Sequence, residues 1–205
     1  MQSIKMEIQM IFDTVCPWCY IGKRRMEQAL TMRSHVKAKM VWRPFLLNRE
    51  IPIEGIDRTA YLIRKFGSEA RVRRIYGAIA NAGESVDIDF AFDLINRTPN
   101  SVDSHRLIRF ALENGAGEKI VETIFFHYFV RGLDIGLKEV LCDVGYHAGL
   151  DSKAVDTYLD SKEDIDFVYD ENTRAHRMGV NGVPAFIFNN KMIISGAQEP
   201  QILAR

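Results

Sequence analysis

At 205 residues, 47% of them apolar, the chain is long enough for one large domain, or one domain carrying an insertion, with a real core. Lys plus Arg and Asp plus Glu both number 27, so the formal charge is zero. That argues against nucleic acid or an acidic membrane surface as the main partner, since both need a basic footprint. The sequence holds no run of 18 apolar residues that could span a bilayer, and its three cysteines are too few for a disulfide scaffold. The N-terminus carries neither a long apolar stretch nor a small-residue cleavage site, so a cytoplasmic location is expected.

Residues 5–12 alternate, with Met6, Ile8, Met10 and Phe12 on one side and Lys5, Glu7 and Gln9 on the other, which predicts a strand. Asp13-Thr14-Val15 forms the turn into a helix over 17–33. Its apolar positions are Ile21, Met26, Ala29 and Leu30, and Lys23, Arg24 and Arg25 point mostly outward. Gly22 costs such a helix about 1 kcal/mol relative to Ala, and close packing on the sheet is the expected reason for it. Residues 38–45 read as a second strand, parallel to the first through a right-handed crossover.

At this strand-to-helix corner stands Cys16-Pro17-Trp18-Cys19. Cys16 falls at the N-cap and Pro17 at the first helical position, where a missing N–H costs nothing. The N–H groups of Trp18 and Cys19 lack helical partners and can point at the Cys16 sulfur, and the positive end of the helix favours the thiolate there. Cys19, one turn further in, is shielded and placed to close a disulfide. A Cys-x-x-Cys can also be half of a zinc site, which needs two more ligands. Cys142 is alone, and His35, His105, His127, His147 and His176 form no His-x₃₋₅-His pair, so no metal ligands are expected. His105 and His127 read as packing or capping groups, and Cys142 reads as a small buried hydrophobe.

Residues 47–57 form a Pro- and Gly-marked connector, and 58–160 are mostly helical. Helices are predicted over 61–66, ended by Gly67, and over 69–82, ended by Gly83. In the latter, Arg71, Arg73 and Arg74 form a solvated face. Residues 87–92 alternate as an extended segment and 97–100 form a turn. Further helices are predicted over 103–114, 118–130, 137–148 and up to 159 from an Asp151 cap. Ser161-x-x-Asp164 reads as a capping box opening a helix to Met178. Residues 183–188 and 191–194 make a hairpin through Asn189-Asn190, and a last helix starts at Glu199 with Pro200 in its first turn. Pattern alone gives α/β with an inserted helical bundle. The boundaries are 1–46 and 161–205 for the α/β part and 47–160 for the insert.

The redox stretch from Asp13 to Lys23 resembles the active site of the DsbA-like thioredoxin-fold family, in particular its FrnE-type branch. Tyr61-Leu62-x-x-Lys65-Phe66-Gly67, Arg97-Thr98-Pro99-Asn100 with His105-Arg106-Leu107, Gly132-x-Asp134-Ile135, Gly179-Val180-x-Gly182-Val183-Pro184 and Ser195-Gly196-Ala197-Gln198 extend the likeness over most of the chain. The resemblance implies a thioredoxin fold with a helical domain inserted between the second strand and the C-terminal helix-hairpin. It also implies a cis Val183-Pro184 bond beside the redox pair, with the Val183 backbone open to an extended peptide or glutathione. Cys16 and Cys19 are then catalytic in thiol–disulfide exchange, and Trp18, Val183 and Pro184 contact substrate. Pro17 and Asp13 support them; Asp13 is either a turn residue or a carboxylate that helps move the Cys19 proton. The expected partners are protein or small-molecule thiols and disulfides, with a homodimer left open. No cofactor is required, and glutathione is a candidate substrate or reductant. The alternative from the same architecture is a glutathione-dependent isomerase or transferase of the 2-hydroxychromene-2-carboxylate isomerase or kappa type, whose members generally carry Ser where Cys16 stands. A non-catalytic binding or chaperone module is a third reading.

Overall fold

The structure, a computed structural model, describes residues 4–205; the part of the N-terminal reading that concerns residues 1–3 lies outside them. In chain order the elements are β1 (Ile4–Phe12), α1 (Pro17–Met32), β2 (Val36–Pro44), β3 (Ile56–Asp57), α2 (Arg58–Phe66), α3 (Glu69–Glu84), β4 (Arg97–Thr98), α4 (Val102–Glu113), α5 (Gly117–Phe129), α6 (Lys138–Ala148), α7 (Ser152–Asp160), α8 (Ile165–Arg177), β5 (Ala185–Phe188), β6 (Met192–Ser195) and α9 (Pro200–Leu203). The chain divides into two compact units, residues up to 47 with 169–205, and residues 48–168. The second junction lies inside α8.

The first unit is built on a sheet of order β2-β1-β5-β6. β2 runs parallel to β1, with Ile8 opposite Met40 and Met10 opposite Trp42, whereas β5 runs antiparallel, with Met10 opposite Phe186. Central position changes the reading of β1. Gln9 and Ile11, expected on the polar side or unassigned, are as buried as Ile8, Met10 and Phe12. A central strand with both faces covered loses its polar face. Ile11 packs with Phe45, Ala175, Val180, Ala185 and Ile187, and Gln9 accepts a hydrogen bond from Arg43 Nε at 3.3 Å. The hairpin turns through Asn189 and Asn190 at φ of 47° and 57°, the two positive values that a two-residue turn of this hand needs.

Two of the three basic residues of α1 depart from expectation. Lys23 and Arg25 are buried, not outward. Arg25 donates from Nη1 to the Ala197 carbonyl at 2.6 Å and pairs through Nη2 with Glu199 at 2.8 Å, so its charge ties α1 to the segment before α9. The Lys23 ammonium reaches Glu27, one turn on, at 2.6 Å, while its aliphatic stem is covered.

The second unit is helical apart from the short antiparallel pair β3–β4, so Arg97-Thr98 is strand, not turn. Its core is aromatic, with Phe125, Tyr128 and Phe129 of α5 fully buried. Residues 87–92 form no strand; the segment runs into a 3-10 turn, Phe92–Leu94, and Phe90 and Phe92 stack at 4.7 Å. Gly83 does not end α3. It lies within the helix, and a Cβ there would stand 2.5 Å from the Phe90 ring, so close packing accounts for the glycine. The capping box also fails. Asp164 takes φ 61°, and its carboxylate accepts from Tyr158 Oη and pairs with Arg109, so α8 starts at Ile165 without it. The Asp151 cap of α7 is present, accepting from the Ala154 N–H at 2.8 Å.

Candidate active site

Strand β1 ends at Phe12, and three residues turn the chain into α1. Cys16 is the N-cap, in extended conformation at φ −98° and ψ 112°, and Pro17 opens the helix. The turn is held by Asp13: its carbonyl accepts from Cys16 N–H at 3.1 Å, and its carboxylate accepts from Val15 N–H at 3.3 Å and Leu47 N–H at 2.7 Å. This is the turn role proposed for Asp13, extended by a bond to the loop after β2 that no local spacing announces. A second side chain, Asn172 of α8, fixes the same loop by accepting from Leu46 N–H at 2.9 Å.

The Cys19 N–H donates to the Cys16 carbonyl at 3.0 Å, and the Cys16 side chain makes no capping hydrogen bond, contrary to the expected sulfur cap. The sulfur instead lies 3.7 Å from the Val183 carbonyl oxygen. The Val183-Pro184 bond is cis. Helix α1, the 183–184 loop and β5 meet at Gly22, where an added Cβ would stand 2.8 Å from Pro184 Cγ and 3.4 Å from Phe186 Cζ. Gly22→Ala would gain about 1 kcal/mol of helix propensity. It would also force a proline ring and its loop aside, at a cost of about 1–3 kcal/mol for overpacking. The expected result is a net loss of stability, read as a lower urea midpoint at unchanged slope.

Trp18 is exposed, at 37%, as its place between the cysteines predicts. Cys16 is only 4% exposed and Cys19 fully buried. The outer sulfur is thus nearly as enclosed as the inner one. Burial first, then the hydrogen bond to Cys16 and the Cys16 charge, push the Cys19 thiol well above its ordinary range; a backbone hydrogen bond at Asp13 opposes this and the Asp13 carboxylate charge adds to it. The folded reduced state therefore keeps a proton that the unfolded thiol gives up near pH 8.5. Stability from this source is complete below that pH and is lost as pH rises beyond it. Urea midpoints of the reduced protein should fall from about pH 8.5 upward more steeply than those of Cys19→Ser.

Cys142 is half-buried on α6, and burial and the Asp156 charge raise its thiol, which weakens it as a nucleophile. Arg71, Arg73 and Arg74 are exposed, as expected of a solvated face.

A strand-to-helix corner carrying a Cys-x-x-Cys pair, beside a cis-proline loop and on a mixed four-stranded sheet, defines a thioredoxin-type fold. Residues 7–205 match the DSBA-like thioredoxin domain, and the chain belongs to that family. The DsbA-like resemblance and the fold class read from the sequence both hold. The uncharacterized protein YwbO of Bacillus subtilis (strain 168) is 22% identical over 191 residues, 93% of this chain and 90% of that protein. The crystal structure of a probable DsbA oxidoreductase, SCO1869 from Streptomyces coelicolor, is similar at TM-score 0.88 and 25% identity, covering 97% of this chain and 87% of that one. Two further structures share the fold. A 2-hydroxychromene-2-carboxylate isomerase has TM-score 0.68 at 14% identity, covering 93% and 89% of the two chains. The cytosolic disulfide reductase DsbM from Pseudomonas aeruginosa with GSH has TM-score 0.61 at 15% identity, covering 97% and 93%. Among the described residues no helix is long and apolar enough to cross a membrane.

Proposed function

We propose that the protein is a thiol–disulfide oxidoreductase that works by dithiol–disulfide exchange between Cys16 and Cys19. The observation that carries this reading is the pairing of an N-cap sulfur, set against the cis Val183-Pro184 loop, with a second, fully buried thiol one turn inside the helix. In the reducing direction the Cys16 thiolate attacks a substrate disulfide. A Cys16–substrate disulfide forms and one substrate thiolate leaves. Cys19 then gives up its proton and attacks the Cys16 sulfur, closing the Cys16–Cys19 disulfide and releasing the second substrate thiolate. Two electrons pass from the dithiol to the substrate, and oxidation is the same sequence reversed. Metal and flavin have no part in it.

The raised Cys19 thiol makes its deprotonation the demanding part of resolution. Asp13 sits against it as the candidate acceptor, although its two oxygens already receive backbone N–H groups. Val183 is the substrate-facing backbone of this reading, and Trp18 offers an exposed aromatic surface to whatever docks. The low exposure of Cys16 favours small disulfides and extended peptide segments over folded, bulky ones. Glutathione fits as substrate or reductant; the similar fold solved with GSH supports this. A cytoplasmic place for the exchange rests on the same neighbour, described as cytosolic, and on the small number of cysteines. The shared fold of a 2-hydroxychromene-2-carboxylate isomerase supports a glutathione-dependent isomerase as the second reading, and two intact cysteines weigh against it. Mass spectrometry of Cys19→Ser mixed with oxidised glutathione or a disulfide peptide tests the leading one. A stable adduct at Cys16 is the expected product, and an unmodified Cys16 would contradict the mechanism.

A further inference from the structure

We infer that the second unit carries a binding site for a late first-row divalent transition ion, held by His127 of α5 with Asp143 and His147 of α6. One ligand atom from each of the three lies within 4.8 Å of the other two. Asp143 and His147 are four residues apart on α6, so both project from one face of that helix, and the His127 ring lies 5.7 Å from that of His147.

The buried member points to a ligand. The His127 side chain is 4% exposed, and its Nδ1 lies 2.8 Å from the Thr123 carbonyl oxygen, one turn back on α5. A carbonyl only accepts, so Nδ1 holds the proton and donates it. Nε2 is then left as a bare lone pair. It is buried with no hydrogen-bond partner, and Asp143 Oδ2 stands 3.5 Å away, too far for a normal bond and an acceptor itself. Two acceptors facing each other across that gap, with a third nearby, are a poor arrangement for a proton-free surface and a good one for a cation. A backbone carbonyl that fixes the imidazole tautomer is also the outer-shell partner that metal-bound histidines use. His147 repeats the device, with Nδ1 2.9 Å from the Asp143 carbonyl.

Two imidazoles and one carboxylate suit zinc, nickel or copper better than magnesium or calcium, which prefer all-oxygen sites. Bonds of about 2.0–2.2 Å on a tetrahedral ion set ligand atoms about 3.3 Å apart. The widest pair therefore needs to close by at most about 1.5 Å, and His127 Nε2 and Asp143 Oδ2, at 3.5 Å, already stand near that spacing. Asp143 and His147, each half-exposed, can turn to do so, while His127 stays fixed by its carbonyl. Three protein ligands leave a fourth position for water. Within the second unit such an ion would clip α5 to α6.

The competing state is a protonated His127 paired with Asp143 and no metal. Reduced thiols also bind these metals, so the test uses the untagged full-length chain with Cys16, Cys19 and Cys142 changed to serine. Titration calorimetry with zinc chloride should find one equivalent bound. His147→Ala and Asp143→Asn should each weaken it by at least about tenfold, and zinc should raise the melting temperature of the parent but not of those two. Both changes are at half-exposed helix positions, so they decide the question even if a third variant, His127→Gln, fails to fold. Zinc bound equally well by His147→Ala and Asp143→Asn would overturn the assignment, as would a parent that binds none.

Discussion

Cys16→Ser is expected to bring reduction of insulin or of a small aromatic disulfide down to the uncatalysed background. A serine hydroxyl has no anion to offer at neutral pH and no sulfur to carry a mixed disulfide, so both half-reactions stop together. A loss of about 10³-fold or more corresponds to at least about 4 kcal/mol of barrier. The exchange of one buried atom for a slightly smaller one at an N-cap position leaves the fold in place, since serine is itself a good N-cap. An unchanged urea midpoint alongside the lost rate would therefore mark the effect as chemical. Cys19→Ser should differ in kind: the first attack survives and resolution fails, so the enzyme accumulates as a mixed disulfide after at most one turnover. A Cys16→Ser rate within about tenfold of the parent would remove the mechanism, because tenfold is only about 1.4 kcal/mol.

The redox corner was legible because every signal for it is local. Alternation ends at Phe12, a proline suits only the first turn of the helix that follows, and the cysteine spacing is one helical turn. The 183–184 loop was legible only beside that pair; alone, Val-Pro is an ordinary strand entry. What escaped the sequence depends on partners far along the chain. The Leu47 N–H that fills one Asp13 oxygen is 34 residues away, and the Ala197 carbonyl that takes Arg25 is 172 away. Neither has a period or a spacing. The same holds for His127, which read as a packing group because its companions lie on the next helix and only one of them is a histidine.

Errors in the second unit have a common cause. The sequence treated Gly83 as a helix end and Ser161-x-x-Asp164 as a helix start, and both are decided by side chains packed from elsewhere. Gly83 lies inside the helix and is glycine for packing, since the Phe90 ring takes the space a side chain would fill. Ser161 is spent on the end of α7, donating from Oγ to the Tyr158 carbonyl at 2.7 Å and accepting from Glu163 N–H at 3.0 Å. Asp164 serves Tyr158 and Arg109. Turn and cap signals state what a segment can do locally, and a buried neighbour selects among those options.

Arg106→Met should be the most destabilising single change in the second unit, by about 3–5 kcal/mol. The Arg106 side chain is 1% exposed, and its charge is paired with Asp103 at 2.7 Å. Its guanidinium closes the end of α7, with Nε donating to the Glu163 carbonyl at 2.6 Å, and Nη2 to the Tyr158 and Ser161 carbonyls, both at 2.9 Å. The last carbonyls of a helix have no partner within it, and here one planar fork supplies them. Methionine fills much of the volume but donates nothing. The Ser161 and Glu163 carbonyls then lose this donor, each at a cost of about 1–3 kcal/mol less whatever water recovers, while the Tyr158 carbonyl keeps the Ser161 hydroxyl and N–H. For a chain of this size a loss of 3 kcal/mol lowers the melting temperature by about 6–12 °C. Arg106→Lys separates geometry from charge. An ammonium keeps the pairing with Asp103 but cannot reach carbonyls spread along three sides of a plane, so it should recover less than half of the loss. Full recovery by lysine would mean that the ion pair, not the cap, holds this end of α7.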